Sequence, residues 1–344
     1  MLIIGCDFHS GFQQVAIFDN LTGEIEEKKL LHPAEAAEYY RSQADPVRVG
    51  MEAGAPCQWF RRLLTECGHE LWMGDASKIR AAEVRKQKTD RRDAELILKL
   101  MLEERFPRIW VPSEEERDVR QLLMDRHHRM RARTQIKNQL QSLALNQGMQ
   151  KGRKLWSAAG MQALRELPMM EHAARRRDQL LQGVIELDTQ LAELDVLVRR
   201  QAEGREDARR LMTHPGVGPQ TALAMVLTIG DVNRFENAGK VASYLGLIPG
   251  EYSSGNRQRL GHISKQGSSL MRFLLVEAGQ SAVRGDEGLR RAYARLAAKK
   301  CRAVAKVMIA RRLAERLYWM LRRNWTYVEL ARHAGEPGSS CGAK

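Results

Sequence analysis

The chain has 344 residues, 56 Lys and Arg against 42 Asp and Glu, and a formal net charge of +14. That length exceeds one small core and fits two or three domains, while the charge favours a polyanionic partner, nucleic acid or an acidic membrane surface. The sequence has no apolar run of about 18 residues, which excludes a membrane span, and its opening MLIIGCDFHS lacks the basic leader of a signal peptide.

The first 80 residues carry 12 acids and 8 bases and read as strands with short connections. LIIGCDFH is an apolar run ending in Asp7, and QQVAIFD is a second strand. NLTGE then supplies a turn through Asn20 and Gly23, and EIEEKKLL alternates as a third strand. A helix is predicted from Pro33 to about Ser42, then a short buried-type strand in VRVGMEAG ending at Glu52. CQWFRRLLTECG follows as a helix and HELWMGDAS as a strand. Three strands in a meander, then alternating helix and strand, is the order of a ribonuclease-H-like α/β domain. KTDRRDAELI, residues 88–97, opens an amphipathic helix with Asp90 and Asp93 three apart, hence on one face.

From about Ser113 the pattern changes to long helices. The first has a basic middle, with five bases and one acid between Asp125 and Lys137, and residues 148–160 interrupt it. A second runs roughly from Glu171 to Ala202 with Leu and Val at near-heptad spacing. Two such helices predict an antiparallel coiled-coil arm, a device for joining subunits; a plain helical linker is the alternative. The five cysteines (Cys6, Cys57, Cys67, Cys301 and Cys341) form no CxxC pair, which argues against a zinc ribbon and for a reducing cytoplasm.

Residues 206–330 read as a unit of short helices with glycine-rich connections. In LMTHPGVGPQTALAMVLTIG, Pro215, Gly216 and Gly218 separate two helical stretches in the manner of a helix-hairpin-helix. Its glycines would let backbone N–H groups approach a phosphate; a ligand-free turn is the alternative. The following segment, YLGLIPGEYSSGNRQRLGHISKQGSSLMRFLLVEAG, holds Ser253, Ser254 and Gly255 in a polar loop among Arg257, Arg259, Lys265 and Arg272. A hydroxyl ringed by cations is a candidate nucleophile for phosphate, although such a loop is more often only a turn. Ser268 and Ser269 read as helix N-caps. Residues 289–323 read as one basic helix that holds 12 Lys or Arg and Glu315 as its one acid, a concentration that reads as an electrostatic footprint through Arg290, Arg291, Lys299 and Lys300. The last stretch, ARHAGEPGSSCGAK, is predicted to be disordered.

Asp7 and Glu52 both end apolar strands, where open α/β sheets bind ligands. Joined by Asp90 and Asp93 they would supply four hard oxygen donors, the set a magnesium or manganese site needs to handle a phosphodiester. Four such carboxylates would repel one another, so their convergence makes sense only around cations. Each acid alone is commonplace; the order strand-Asp, strand-Glu, helix-DxxD is the specific signal.

Together CDFH, MEAG and KTDRRDAELI, followed by HPGVGPQTA, YLGLIPGEYSSG and HISKQGSSLMRFLL, resemble the DEDD insertion-sequence transposases, the bridge-RNA-guided serine recombinases of bacterial mobile elements. The resemblance covers nearly the whole chain. It implies a RuvC-like domain over residues 1–112, a coiled-coil helical arm over 113–205, a mostly helical serine transposase domain over 206–330 and a tail over 331–344. It also implies that Asp7, Glu52, Asp90 and Asp93 hold magnesium, with manganese as the alternative, and that the nucleophile is Ser254, or failing that Ser253. Asn256 stands where a second glycine often follows Ser-Gly in the family. The implied reaction forms a covalent phosphoserine and joins donor to target DNA through a four-way junction, guided by a noncoding RNA. Homo-oligomerisation, as a dimer or tetramer with sites shared between subunits, and a place in the bacterial cytoplasm on the nucleoid belong to the same implication. Two rival functions remain: a Holliday-junction resolvase in which metal activates water, and a non-enzymatic architectural nucleic-acid binder.

Overall fold

The computed structural model of the protein describes residues 1–54, 57–83, 89–150, 152–251 and 259–333. The chain forms two compact units, Met1–Val111 and Pro112–Lys344. The first contains β1 (Leu2–Phe8), β2 (Phe12–Asp19), β3 (Ile25–Leu31), α1 (Ala34–Arg41), β4 (Arg48–Glu52), α2 (Gln58–Glu66), β5 (Glu70–Gly74), α3 (Ala76–Ala81) and α4 (Asp90–Leu102). The strands form one sheet in the order β3-β2-β1-β4-β5. The β1–β2 and β2–β3 pairs are antiparallel, and β1–β4 and β4–β5 parallel. This is the predicted element order with one helix, α3, added, and the mixed sheet is consistent with a ribonuclease-H-like fold.

Side chains alternate across a strand, so β1 serves two purposes at once. Ile4 and Cys6 face one side, where with Val15, Val49 and Met51 they join Tyr40 of α1 and Phe60 and Leu64 of α2 in a buried core. Ile3, Gly5 and Asp7 share the other side. Gly5 is paired with Ala16 on β2 and Gly50 on β4, a row of small residues across three strands. α4 lies on that row, with Ala94 and Leu98 packed against Ala16. A Cβ at Gly5 would run into the carbonyl oxygen of Ala94 and the amide nitrogen of Leu98, so the helix backbone approaches the strand as only glycine permits.

The second unit contains α5 (Glu114–Asn146), α6 (Ala158–Arg165), α7 (Glu171–Glu203), α8 (Glu206–Met212), α9 (Pro219–Ile229), α10 (Ala238–Tyr244), β6 (Pro249–Glu251), β7 (Leu260–Ile263), α11 (Ser269–Gly285), α12 (Glu287–Lys299), α13 (Arg302–Arg323) and α14 (Tyr327–His333). A capping box of Ser113 and Glu116 starts α5. α5 and α7 pair antiparallel: Arg126, Arg129 and Arg133 reach Asp195, Gln190 and Asp188 at 2.5, 2.5 and 2.6 Å, in reversed order along the partner. Farther along the pair, Leu140 and Ala144 pack with Leu181 and Val184 and with Leu155 and Leu164 from the connection. At its base, Val119, Leu123, Val198 and Ala202 enter the main core with Leu223 of α9, Leu274 of α11 and Leu313 of α13.

Three features differ from the sequence reading. The segment beyond residue 206 is not built of short helices alone, since α11 has 17 residues and α13 has 22. β6 and β7 form an antiparallel pair that was not expected. The basic stretch 289–323 is two helices rather than one, broken where Lys300 and Cys301 leave helical geometry. Among the described residues, no helix is long and apolar enough to cross a membrane.

Two outcomes follow for stability. Gly5→Ala should destabilise the protein by about 1–3 kcal/mol or more, because rigid backbone must move. Gly50→Ala should cost less, because its Cβ meets the flexible thioether of Met101. Urea unfolding of both variants checks the ranking, and equal costs would refute the close helix contact. The second outcome concerns His214, which is 1% exposed, packed edge-on to Tyr327, with Nδ1 2.9 Å from the Pro215 carbonyl. Burial lowers its pKa from 6.5 to about 4. Between those values the unfolded chain binds the proton and the folded one does not, so stability falls as pH falls through this window. The loss reaches about 3 kcal/mol at its lower end. Urea midpoints between neutral and mildly acidic pH should show the fall, and His214→Leu should flatten it.

Candidate functional site

The small-residue row fixes the site. By bringing α4 onto the sheet it sets the first turn of that helix, with Asp90 and Asp93, on the face from which Asp7 projects at the end of β1. Thr89 caps the helix by accepting from the Arg92 amide, leaving both aspartates in the first turn, where the helix dipole favours negative charge. Glu52 ends β4, in line with Asp7 because Cys6 pairs with Met51 in the parallel ladder. Gly50 and Glu52 have the same parity, so Glu52 leaves the sheet on the α4 side too.

Asp7, His9 and Asp90 offer ligand atoms that all lie within 4.8 Å of one another. His9 Nε2 is 3.0 Å from Asp7 Oδ2 and 3.6 Å from Asp90 Oδ1. Asp93 is close enough to raise the Asp7 pKa by repulsion. Glu52 is not part of the 4.8 Å group among the described residues. The Asp7 carboxyl is pushed above its ordinary value of 3.8 chiefly by burial, with Asp93 and Asp90 adding to the rise and His9 opposing it. A half-buried carboxylate beside two others is short of positive charge, and the oxygen donor set suits a hard divalent cation. In the tautomer whose Nε2–H donates to the Asp7 carboxylate, His9 positions Asp7; in the other, Nε2 is itself a donor atom beside Asp7 and Asp90. The sequence reading did not single out His9, although the D-x-H spacing at a strand end places both side chains on one face. Arg91 pairs with Glu27 of β3 and with Glu95, and so anchors α4 to the sheet edge.

The sequence-nominated residues of the second unit have varied surroundings. Ser253, Ser254, Gly255 and Arg257 lie outside the described residues. Gly216 has φ +83, and a Cβ there would strike the backbone of Ala278 and Ala282, so its glycine is required for packing against α11. Gly218, the N-cap of α9, has open space where a Cβ would be. Ser268 caps α11 by accepting from the Met271 amide at 3.1 Å. Arg272 donates to the carbonyls of Gln266 and Leu245, clasping the loop that precedes its helix. Arg259, Lys265, Arg290, Arg291, Lys299 and Lys300 are exposed, and Arg291 stands 3.9 Å from Glu287.

Two family models match the chain. One, described as "Transposase IS116/IS110/IS902 family", matches residues 208–294, and the other, described as "Transposase" and named for the DEDD transposases of IS110, matches residues 4–149. A probable family 20 transposase of Pseudomonas aeruginosa is 31% identical over 75% of this chain and 77% of its own length. The transposase for insertion sequence element IS1111A of Coxiella burnetii is 26% identical over 71% and 69%. The transposase for insertion sequence element IS1328 of Yersinia enterocolitica is 26% identical over 68% and 70%.

Replacing Asp7 and Asp90 together by asparagine should abolish manganese binding followed by electron paramagnetic resonance. The same variant should be more stable than the parent without metal, because the burial cost of the Asp7 charge and its repulsion by Asp90 have been removed. Unchanged manganese affinity would mean that this cluster is not the cation site.

Proposed function

Since this chain belongs to the IS116/IS110/IS902 family of transposases and is therefore an enzyme acting on DNA, we propose that it joins the ends of an insertion sequence to target DNA through a serine nucleophile and an acidic cation site. The observation that supports this most is the approach of Asp7 and Asp90, from separate elements, to within ligand distance of one another. Asp7, Glu52, Asp90 and Asp93 are the residues that would hold a divalent cation, magnesium first. When bound, the cation supplies positive charge at the scissile phosphate. His9 keeps the Asp7 carboxylate oriented through the 3.0 Å hydrogen bond.

In this reading the Ser254 oxygen forms a bond to phosphorus as the bond from phosphorus to the 3′ oxygen breaks. The serine gives up its proton and the departing 3′ oxygen gains one. The phosphoserine retains the phosphodiester bond energy, and the reverse attack by another 3′ hydroxyl reseals the strand. A noncoding RNA pairing with both DNAs chooses the sites, so the protein itself reads mainly backbone and shape. The first unit is RuvC-like, α5 and α7 form a coiled-coil arm that joins subunits, and α8 with α9 forms a helix-hairpin-helix in which the Gly218 amide at the start of α9 meets a phosphate. The domain limits are those drawn from sequence, 1–112, 113–205, 206–330 and 331–344.

The test is covalent trapping. The protein, its flanking noncoding RNA, donor and target DNA and magnesium are combined, and a protein–DNA adduct is sought on a denaturing gel. The adduct should form with the parent and with Ser253→Ala and vanish with Ser254→Ala. Metal-dependent cleavage without any adduct would instead make the enzyme a resolvase that activates water. Binding that is indifferent to chelation, without cleavage, would leave an architectural binder.

A further inference from the structure

The second unit has a cleft of about 1350 Å³ between α13 and the β6–β7 pair, with the start of α10 and parts of α12 on its margins. Along α13 one stripe faces it: Val304, Met308, Arg312 and Trp319, spaced four, four and seven apart, with Arg311 beside it. Ala305, Ile309, Leu313 and Leu317 of the same helix are buried in the core. Val304 and Met308 remain 43% and 37% exposed, so apolar surface is held open to the cleft.

Five basic residues and one acid line the cleft. Two of the bases are already matched. Arg311 pairs with Glu315, the one acid, at 2.9 Å, and Arg316 pairs at 2.5 Å with Asp286, which is 5% exposed and caps α12. Lys265, Lys300 and Arg312 have no ion-pair partner among the described residues. Arg312 is half-buried, and burial, then its neighbours Arg295, Arg316 and Arg311, disfavour its charge, with Glu315 opposing them in part. An anion beside it would relieve both effects.

Size and chemistry select the occupant. Small-molecule sites usually enclose about 300–1,000 Å³, so this cleft suits a stretch of polymer better than a metabolite. A duplex hides its base faces and presents phosphate, leaving an apolar floor nothing to touch. An unpaired strand offers both base faces for stacking and phosphates for cations. We propose that the cleft holds a segment of unpaired DNA strand, with bases against Val304, Met308 and Trp319 and phosphates at Lys265, Lys300 and Arg312. The choice of DNA rests on family membership alone, since strand exchange frees single strands, and is independent of which residue is the nucleophile. Binding is read here without catalysis, so a failure to trap an adduct and a failure of this site give different results.

The test uses the full-length protein and the fluorescence anisotropy of a labelled oligothymidylate, with a duplex of equal length and an oligouridylate as comparison probes. Val304→Ser with Met308→Ser should weaken oligothymidylate binding about five-fold or more while leaving duplex binding unchanged. Both side chains are exposed, and an unaltered melting temperature verifies that the fold is intact. Arg312→Gln should weaken the same probe and lower the steepness of its salt dependence by about one counterion. Equal losses for strand and duplex would overturn the proposal by making the cleft a phosphate track. A loss confined to oligouridylate would assign it to RNA and overturn the choice of DNA. Unchanged binding of every probe would overturn it outright, and a shift in oligomeric state in the serine variant would then identify a second copy of the chain as the occupant.

Discussion

The contact between α4 and β1 at Gly5 is the constraint on which the candidate site depends. Helix and strand backbones meet there with no side chain between them, and Ala16 and Gly50 extend the same shallow trough to the neighbouring strands. Depth decides the geometry. A side chain at Gly5 would lift the helix by about a methyl group or more, and the carboxylates of its first turn would rise with it. Asp7 points to the same side because two residues along a strand restore the direction of Gly5. The acidic cluster is thus a consequence of packing in the sheet, not of any sequence proximity between Asp7 and Asp90. The arrangement costs the Asp7 carboxylate its hydration first and sets it against Asp93 and Asp90 second, and both raise its pKa, while Arg91 pairs with Glu27 and Glu95 at the helix margin.

In the second unit the chain's excess positive charge is divided between internal and external uses. Arg126, Arg129 and Arg133 are matched by polar groups of α7, so the basic middle of α5 works inside the fold. Arg316 ties α13 to the buried N-cap of α12, and Arg272 closes a loop. Among the described residues these arginines serve internal contacts, and the cations at the cleft stand beside apolar surface. That combination distinguishes a surface that sorts single strands from duplexes from one that attracts any polyanion.

Much of the first unit was legible because its strands are apolar runs closed by acids and turns, and both features survive in a single sequence. Asp7, Glu52, Asp90 and Asp93 could be nominated since strand ends and an i, i+3 pair are local patterns. His9 could not be nominated from carboxylate chemistry, although strand parity pointed to it. Gly216 illustrates the opposite limit. Its sequence context resembles a phosphate-approaching turn, whereas its backbone is shaped by the neighbouring α11, and contact with a distant helix leaves no local mark. The same holds for Arg272, whose partners are carbonyls rather than charged residues. The β6–β7 pair was hidden because its strands have three and four residues, too few to show a period. The interruption between α12 and α13 was hidden because no glycine or proline marks it.

The antiparallel pair of α5 and α7 has a mechanical side. Each helix has 33 residues, which at 1.5 Å per residue makes a rod about 50 Å long. Its lower half is cross-strutted by arginine ties and its upper half is filled with leucine, valine and alanine, so the two helices bend together or hardly at all. A rod of that length is a lever. Rocking it by about ten degrees at the core would carry its far end through roughly 9 Å, converting a shift smaller than one helix diameter at the base into a displacement of nearly that size at the tip.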